Sequence, residues 1–376
     1  MSAILQGTPH ADGYRLPGEF ERHDACWMLW PERPDNWRDG GKPAQAAFAA
    51  VAGAVAAFEH VTVGVSAAQY RNARLSLPSA VRLVELSSDD AWMRDVAPAF
   101  VTDGRGGVRG VRFGFNAWGG IKDGLYAPWD RDARVAATLL ELERLDRYDA
   151  PLVLEGGAIA CDGQGTLITT AGCLVNDNRN PGLGRGDVEA VLRDYLGVEA
   201  IIWLEHGLPG DETGGHIDNL VAFARPGVLA LAWTDDPADP FYPVAREAME
   251  TLRGARDARG RAFDIQRIHQ PPPMAMSTDE SAGIDRIEGT KPRRAGDALC
   301  ASYVNAYLGN GVAVIPAFDE AMDERARNAY AALHPERLIV QIPAREIVLG
   351  GGGIHCITHE QPSPQGTPPR FTRRHR

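Results

Sequence analysis

The chain has 376 residues, of which 44% are hydrophobic and 24% charged, a composition typical of a soluble globular protein. That length exceeds a usual single-core domain unless the architecture is closed or repetitive. The formal net charge of −11 disfavours nucleic acid and anionic membranes as partners and weakly favours a small cationic substrate.

The cysteines and the first residues indicate where the protein resides. Five cysteines occur at positions 26, 161, 173, 300 and 356, an odd number without any Cys-x-x-Cys pair. This argues against a disulfide framework and a zinc ribbon, and indicates a reducing compartment. The first thirty residues lack the basic and apolar regions of a signal peptide, and no run of about 18 apolar residues occurs. We therefore expect a cytoplasmic protein.

A strand-hairpin-plus-helix pattern recurs along the chain. Predicted strands cover residues 25–30, 60–65, 81–86, 91–102, 108–115, 152–161, 166–170, 216–224, 228–233, 302–308, 312–316 and 346–349, and predicted helices cover 43–59, 132–145, 186–196, 243–253 and 323–333. The spacing of roughly sixty residues predicts about five modules around a shared centre, the alternative being an irregular α/β protein. We expect one catalytic domain over residues 1–362 and a disordered basic tail over 363–376.

Four consecutive glycines, Gly350–Gly353, precede His355 and Cys356. Glycines remove side chains from the backbone and allow a reactant to approach the thiol closely, as a cysteine nucleophile requires. The structural alternative is a plain loop followed by a buried thiol, the commonest state of a free cysteine.

Polar residues stand at similar points of the other modules. They are Asp95, Glu155, His216 and Asp218. Alternation along a strand would place His216 and Asp218 on one face, so that an imidazole and a carboxylate share a pocket. Each residue alone has an ordinary structural explanation, and the cysteine nearby is what favours a site.

One thiol, one imidazole and three carboxylates indicate a cationic substrate, since buried carboxylates require a positive partner. A planar guanidinium pairs with carboxylates through two parallel hydrogen bonds, and its carbon could be held in line for a thiolate. A different class of protein, in which His355, Cys356 and His359 bind a metal, is the alternative, although their spacing is not a familiar ligand pattern.

At these residues the sequence resembles the agmatine deiminases. This family belongs to a guanidino-group-modifying superfamily with bacterial-type peptidylarginine deiminases, arginine deiminases and amidinotransferases. The matching motifs are Pro-Gly-Glu-Phe-Glu at 17–21, Trp-Pro-Glu-Arg-Pro-Asp-Asn-Trp-Arg at 30–38, Asp-Ala-Trp-Met-Arg-Asp at 90–95, Glu-Gly-Gly at 155–157, Asn-Arg-Asn-Pro-Gly at 178–182, Gly-His-Ile-Asp-Asn at 215–219, Ala-Ser-Tyr-Val-Asn at 301–305 and Gly-Gly-Gly-Ile-His-Cys-Ile-Thr at 351–358. The resemblance implies a five-bladed αβ propeller, the pentein fold, and cofactor-free hydrolysis of agmatine to N-carbamoylputrescine and ammonia.

The resemblance also implies residue roles. Cys356 corresponds to the nucleophile, His216 to the general acid and base, Asp95 and Asp218 to the guanidinium clamp, and Glu155 to a further acid beside the histidine and substrate. Trp92 is expected to line the channel and contact the cation, a core position being the alternative.

Two positions depart from the family's usual pattern. Gly353 stands where asparagine is usual and Gly214 where Asp or Asn is usual, and both flank proposed catalytic residues. We expect them to influence what is accepted at the amine end of the substrate, where Glu19, Asp211 and Glu212 are candidate ligands of the distal ammonium.

Other guanidine chemistries remain open at this stage. They are deimination of arginine or of peptide-bound arginine, and transfer of the amidine to an amine. The expected partner is a small cationic guanidine, with no metal, cofactor, nucleic acid or membrane, and we expect a homo-oligomer, a dimer.

Overall fold

The computed structural model describes residues 2–364, which form a mixed α/β structure built on small sheets. The strands are β1 His23–Leu29, β2 His60–Val65, β3 Arg82–Glu85, β4 Ala99–Thr102, β5 Val108–Gly114, β6 Arg147–Val153, β7 Ile159–Cys161, β8 Thr166–Thr170, β9 Ala200–Leu204, β10 Val221–Arg225, β11 Val228–Trp233, β12 Asp264–His269, β13 Met274–Ala275, β14 Ala298–Leu299, β15 Tyr307–Gly309, β16 Val312–Ala317, β17 Leu338–Pro343 and β18 His359–Pro362.

The helices lie between these strands. They are α1 Lys42–Ala56, α2 Tyr70–Ser76, α3 Met93–Val96, α4 Gly120–Asp123, α5 Asp132–Leu142, α6 Ala171–Leu174, α7 Arg185–Leu196, α8 Tyr242–Gly254, α9 Thr278–Ala282, α10 Glu320–Leu333 and α11 Arg345–Val348, with 3-10 turns at Asp39–Gly41, Gly156–Ala158 and Ile217–Asn219. None of the helices within residues 2–364 is long and apolar enough to cross a membrane.

Five of the six sheets share one connectivity. In each, an antiparallel pair is followed by a helix and then by a strand parallel to the second strand of the pair. The sheets are β4-β5-β6, β7-β8-β9, β10-β11-β12, β15-β16-β17 and β18-β1-β2, the last extended by β3, while β13 and β14 form a separate small pair. The last strand of the chain thus pairs with the first, and both chain ends belong to one sheet.

The sequence explains these units locally. Strand β11 is an unbroken apolar run, Val-Leu-Ala-Leu-Ala-Trp, and every residue in it is buried, as expected of a strand covered on both faces. Helix α8 buries Ala245, Ala248, Met249 and Leu252, which recur at helical spacing and face the sheet. A fully buried apolar strand and a helix with buried residues at helical spacing therefore form the module, a sheet with a helix packed on it.

Five predicted strands are wrong in the same way, because each merges a turn with a neighbouring strand or replaces it. The chain forms α3 before β4, a 3-10 turn before β7, a 3-10 turn before β10, a turn at residues 303–305 before β15, and helix α11 where residues 346–349 were expected to be extended. Apolar residues fill these turns too, so hydrophobic pattern alone does not separate them from strands.

Seven strands were not predicted or were largely missed. These are β6, β9, β12, β13, β14, β17 and β18. Strand β12 shows why, because Asp264, Gln266 and Arg267 are exposed and the segment has the composition of a loop. The predicted tail lies outside the described residues except for Ser363 and Pro364, and the Ser363 N–H donates to the Arg22 carbonyl at 2.8 Å.

Candidate active site

The short turn before the first strand of each of the five sheets carries buried polar side chains. The residues are Asp95 before β4, Glu155 before β7, His216 and Asp218 before β10, Asn305 before β15 and Cys356 before β18. All are at most 5% exposed. The repeated connectivity therefore delivers one or two functional groups from each sheet to equivalent positions.

Gly157 marks the point where these groups meet. A Cβ atom at this glycine would lie 2.6 Å from His216 Nδ1, 2.9 Å from Asp95 Oδ1 and 3.0 Å from Asp218 Oδ2. The structure thus brings together the imidazole and both carboxylates of the expected clamp. The reason differs from the predicted one, since His216 precedes a 3-10 turn and Asp218 lies within it, rather than both alternating along a strand.

The Cys356 sulfur lies on the other side of Asp218. The Asn305 side-chain N–H donates to Sγ at 3.2 Å, and the thiol is 3.5 Å from Asp218 Oδ2. Burial and the charges of Asp218 and Asp95 raise the pKa of Cys356 well above its usual range, against the opposing effect of the Gly353 N–H and Asn305. The empty site therefore favours the thiol, and a bound cation would favour the thiolate.

Asp95 and Asp218 are held differently. Asp95 accepts from the Gly157 N–H at 2.9 Å and from the Trp118 indole N–H at 2.9 Å, and burial together with Asp218 and Glu155 raises its pKa to about 6 despite His216. Asp218 Oδ1 is buried without a hydrogen-bond partner. A buried carboxylate oxygen requires a donor, and this one is an acceptor ready for an N–H group.

His216 lies between two carboxylates at distances beyond hydrogen bonding. Its Nδ1 is 3.8 Å from Asp95 Oδ1, its Nε2 is 3.8 Å from Glu155 Oε2, and neither nitrogen has a hydrogen-bond partner. Although burial lowers the pKa of His216, Asp95 and other neighbouring groups raise it well above the usual value. The imidazolium is thus stabilised while both N–H groups remain available.

Glu155 is anchored from behind. Arg179 donates through Nε to its Oε1 at 2.6 Å, and both side chains are completely buried. Burial alone would raise the pKa of Glu155, but Arg179 and His216 hold it at about 2. The carboxylate therefore stays charged beside the imidazole.

Trp92 forms a wall next to the sulfur. Its indole N–H donates to Asp90 at 2.9 Å, and its ring packs on Trp37 with centroids 5.1 Å apart. A Cβ at Gly352 would touch both the Trp92 ring, at 2.6 Å, and the Cys356 sulfur, at 3.0 Å. Trp92 is therefore both a core residue and a lining residue, and the two interpretations of the sequence coexist.

The three acids considered for the distal ammonium occupy different places. Both oxygens of Glu19 are engaged, by Arg94 at 3.2 Å and by His355 Nε2 at 2.9 Å. Asp211 accepts four hydrogen bonds within its own loop and from Asn219. Glu212 lies beside Gly351, with Arg293 Nη1 2.9 Å away, and it lines together with Trp92 a small cavity that we call the mouth. Neither Glu19 nor Asp211 lines this cavity.

The predicted alternative metal site does not form. Among residues 2–364, the donor atoms of His355, Cys356 and His359 do not lie close enough together to share an ion. His355 Nδ1 bonds Asp218 at 2.9 Å, and His359 Nε2 donates to the Pro98 carbonyl at 2.9 Å. The two histidines face different partners.

Four contributors received no catalytic role from the sequence. Asn305, Arg179 and His355 lie in the quoted motifs, His355 having been considered only as an alternative metal ligand, whereas Trp118 offered no specific signal. Trp118 and Ala117 both adopt left-handed backbone conformations, with φ of 60° and 53°, which aim the indole at Asp95. Composition does not reveal that Ala117 and Trp118, which both carry side chains, adopt this left-handed turn conformation.

Comparisons with known proteins identify the family of this chain. Residues 15–362 match the family model described as Porphyromonas-type peptidyl-arginine deiminase. Agmatine deiminase of Pseudomonas fluorescens is 54% identical over 366 residues, covering 96% of this chain and 99% of that protein.

Two solved structures extend the comparison. The structure of agmatine deiminase of Enterococcus faecalis superposes with a TM-score of 0.94 and 43% identity, covering 97% of this chain and 100% of that chain. A putative arginine deiminase from Porphyromonas gingivalis gives 0.81 and 27%, covering 94% and 100%. The chain is therefore a member of the Porphyromonas-type peptidyl-arginine deiminase family.

Proposed function

We propose that the protein hydrolyses agmatine to N-carbamoylputrescine and ammonia through a covalent S-alkylthiouronium on Cys356. The convergence of two carboxylates and an imidazole on Gly157, beside a buried thiol, is the observation that carries this proposal. Relatives named agmatine deiminase, at 54% identity over nearly the full chain, support the choice of substrate.

The guanidinium is held first by charge. Its N–H groups pair with Asp95 and Asp218, and Asp218 Oδ1, which has no partner in the described structure, accepts one of them. The Trp92 ring lies next to the Cys356 sulfur and stabilises the cation there. The substrate therefore supplies the positive charge that the buried carboxylates lack.

Attack on the guanidinium carbon follows from the same charge. The bound cation lowers the cost of ionising Cys356, whose thiol proton passes to solvent as the substrate binds, and the Asn305 amide donates to the resulting thiolate. A C–S bond forms, and the His216 imidazolium gives its proton to one amino group, whose C–N bond breaks as ammonia leaves. The thiouronium that remains is again a cation between the carboxylates.

The now neutral His216 takes a proton from water, and the hydroxide adds to the same carbon. The C–S bond breaks, the thiolate is regenerated, and the protonated ureido product releases its proton to solvent, where the departed ammonia takes up one proton. Glu155, fixed by Arg179, keeps the imidazole oriented through both steps. Each of the five residues thus has a place in the scheme, with His216 acting first as acid and then as base, and no cofactor enters it.

Glu212 is the residue we assign to the distal ammonium. It faces Gly351 at the mouth, where Arg293 and Lys291 hold it at 2.9 Å and 3.6 Å. The connection between β12 and β15 covers this side, since Arg293 also donates to Asn36 at 2.6 Å. A covered mouth favours a small substrate over a peptide chain.

The coarser features of the molecule extend the proposal. The five sheets of equal connectivity and the pairing of β1 with β18 support a closed five-bladed αβ propeller, the pentein fold, over a single catalytic domain of residues 1–362. We further propose a cytoplasmic homodimer. Light scattering of the purified chain tests the oligomeric state.

The test is ammonia release from agmatine, arginine and an arginine-containing peptide in parallel, with EDTA present. Agmatine is expected to be the best substrate, and Cys356→Ser is expected to lose activity while Cys26→Ser, a buried thiol in β1, retains it. Faster release from arginine or peptide would change the substrate assignment. Amidine transfer to an amine without ammonia release would contradict hydrolysis.

A further inference from the structure

A buried thiol that the mechanism does not use lies beside the catalytic histidine. Cys173, in α6, is completely buried, and its Sγ is 3.8 Å from Glu155 Oε2. Glu155 Oε2 is in turn 3.8 Å from His216 Nε2. One sulfur, one nitrogen and one oxygen thus face each other from the second and third sheets.

The geometry is close to that of a metal site. The three donor atoms lie within 4.8 Å of one another. A tetrahedral ion with bonds of roughly 2.0 to 2.3 Å holds its donors roughly 3.3 to 3.6 Å apart, so small side-chain movements close the set. No other group of three or more such donors occurs within residues 2–364.

The His216 ring supplies a second, independent observation. Its side chain is 1% exposed and both nitrogens lack hydrogen-bond partners. A buried imidazole nitrogen without a partner is rare because its desolvation is costly, and a divalent metal ion that displaces the Nε2 proton supplies the missing partner. Glu155 also keeps one oxygen on this side, because Arg179 occupies the other.

Charge favours a cation at the same place. Asp95, Glu155 and Asp218 crowd around His216, and Arg179 offsets only one of them. The electrostatic surplus that draws in a guanidinium also attracts a divalent ion when the substrate is absent. His216 lines the space at Gly157, so an ion reaches the donors through the substrate pocket.

We propose that Cys173, Glu155 and His216 form an inhibitory site for a thiophilic divalent cation of the Zn²⁺ type. The sulfur, nitrogen and carboxylate donors match the preference of this ion, and the fourth position, toward the pocket, is left for water. Binding displaces the Cys173 thiol proton and the Nε2 proton of the His216 imidazolium to solvent, and the occupied Nε2 can no longer act as the acid and base of the proposed reaction. The ion is an inhibitor competing with the substrate cation.

Cobalt(II) provides a test that does not depend on turnover. Metal-free protein is titrated with Co²⁺, whose absorption reports tetrahedral geometry and thiolate ligation. Wild type and Cys356→Ser are expected to show the thiolate-to-cobalt band, and Cys173→Ser to lack it. A band that persists in Cys173→Ser, a band lost in Cys356→Ser, or no band in wild type would overturn the proposal.

Zinc inhibition of ammonia release provides the second measurement. Each protein is compared with its own zinc-free rate, and removal of the Cys173 ligand is expected to weaken inhibition at least about tenfold. Equal inhibition of Cys173→Ser would contradict the site. Circular dichroism and thermal melting verify folding, and Cys173→Ala serves if the serine variant does not fold. Failure of agmatine turnover would leave the cobalt result interpretable.

Discussion

At the scale of single residues, the site depends on one position that has no side chain. Gly157 donates its N–H to Asp95 and leaves free the space in which His216, Asp95 and Asp218 meet. This glycine follows Glu155 in the chain, so the same short turn supplies an acid and the space beside it. Gly157 is essential because a side chain at this position would occupy that space.

Replacing Gly157 with alanine is expected to reduce kcat/KM by about 100-fold or more. The added methyl group would lie 2.6 Å from His216 Nδ1, and a displacement of about 1 Å in a catalytic group is enough for a loss of this size. Steady-state kinetics measures the loss. Gly254→Ala at the end of α8, where a Cβ meets nothing within 4 Å, is the matched control and should keep normal activity.

His355 belongs to a buried charge network rather than to the reacting groups. Its ring joins Asp218 to Glu19, and Arg94 joins Glu19 to Glu360. Burial and Arg94 lower the pKa of His355, but Glu19 and Asp218 raise it to about 9. His359 also lies near Glu19. Cys356 directly follows His355 in the chain. The imidazolium therefore holds one clamp carboxylate in place from behind.

The Glu19→Gln variant tests this network through stability. A histidine pKa raised above its usual 6.5 stabilises the fold fully below that pH, and the contribution disappears as the pH rises through about 9. The unfolding free energy of wild type should exceed that of Glu19→Gln by about 2 kcal/mol at pH 6, with a smaller difference at pH 9.5. Denaturant titration measures both values, and Glu21→Gln is the control. A difference independent of pH would show that His355 does not carry the charge.

At the scale of elements, the sequence predicted the modules better than the turns that carry the chemistry. The bounds of β2, β8 and β11 agree with prediction because each is a compact apolar run. The turns at Gly156–Ala158 and Ile217–Asn219 were assigned to strands, since buried apolar residues continue through them. Hydrogen bonds to side chains elsewhere in the chain determine the shape of these turns. A hydrophobic pattern does not reveal such contacts.

Asp211 illustrates this kind of contact. It accepts hydrogen bonds from the Thr213 N–H at 2.9 Å, the Thr213 hydroxyl at 2.7 Å, the His216 N–H at 3.0 Å and the Asn219 amide at 3.1 Å. Through these bonds one carboxylate shapes the loop that leads into the Ile217–Asn219 turn. Asp211 is thus a positioning residue for His216.

Replacing Asp211 with alanine is expected to lower kcat about 100-fold, because His216 loses its backbone anchor, and to cost about 1 to 3 kcal/mol of stability. Asp211→Asn should be intermediate, since its amide oxygen still accepts some of these bonds. Kinetics and thermal melting are measured on both variants. A normal kcat in a destabilised Asp211→Ala protein would mean that the loop affects stability only.

At the scale of the whole molecule, the first and last strands within residues 2–364 pair with each other. Strand β18 pairs with β1, and Glu360 in β18 forms two hydrogen bonds with the buried Arg94, at 2.7 Å and 3.2 Å. This pairing could not be predicted from the sequence, because β18 is short and polar and its partner lies more than 300 residues away. The chemistry of the site was more visible, since Cys356 and the four other residues assigned catalytic roles lie in recognisable motifs.

Two truncations test closure. A chain ending at Thr358 loses β18 and leaves Arg94 buried without Glu360, which is expected to cost about 3 to 5 kcal/mol or to prevent folding. A chain ending at Pro364 keeps the strand and should fold and melt like the full chain. Equal stability of the two truncated proteins would contradict a closing role for β18.

The central claim is that Cys356 becomes covalently attached to the guanidine carbon during turnover. Its most direct test is mass spectrometry of protein quenched in acid while it consumes agmatine, followed by peptide mapping. We expect the mass of the peptide containing Cys356 to increase by the mass of agmatine minus that of ammonia. The increase should be absent in Cys356→Ser. Turnover with an unmodified Cys356, or with the adduct on another cysteine, would contradict it.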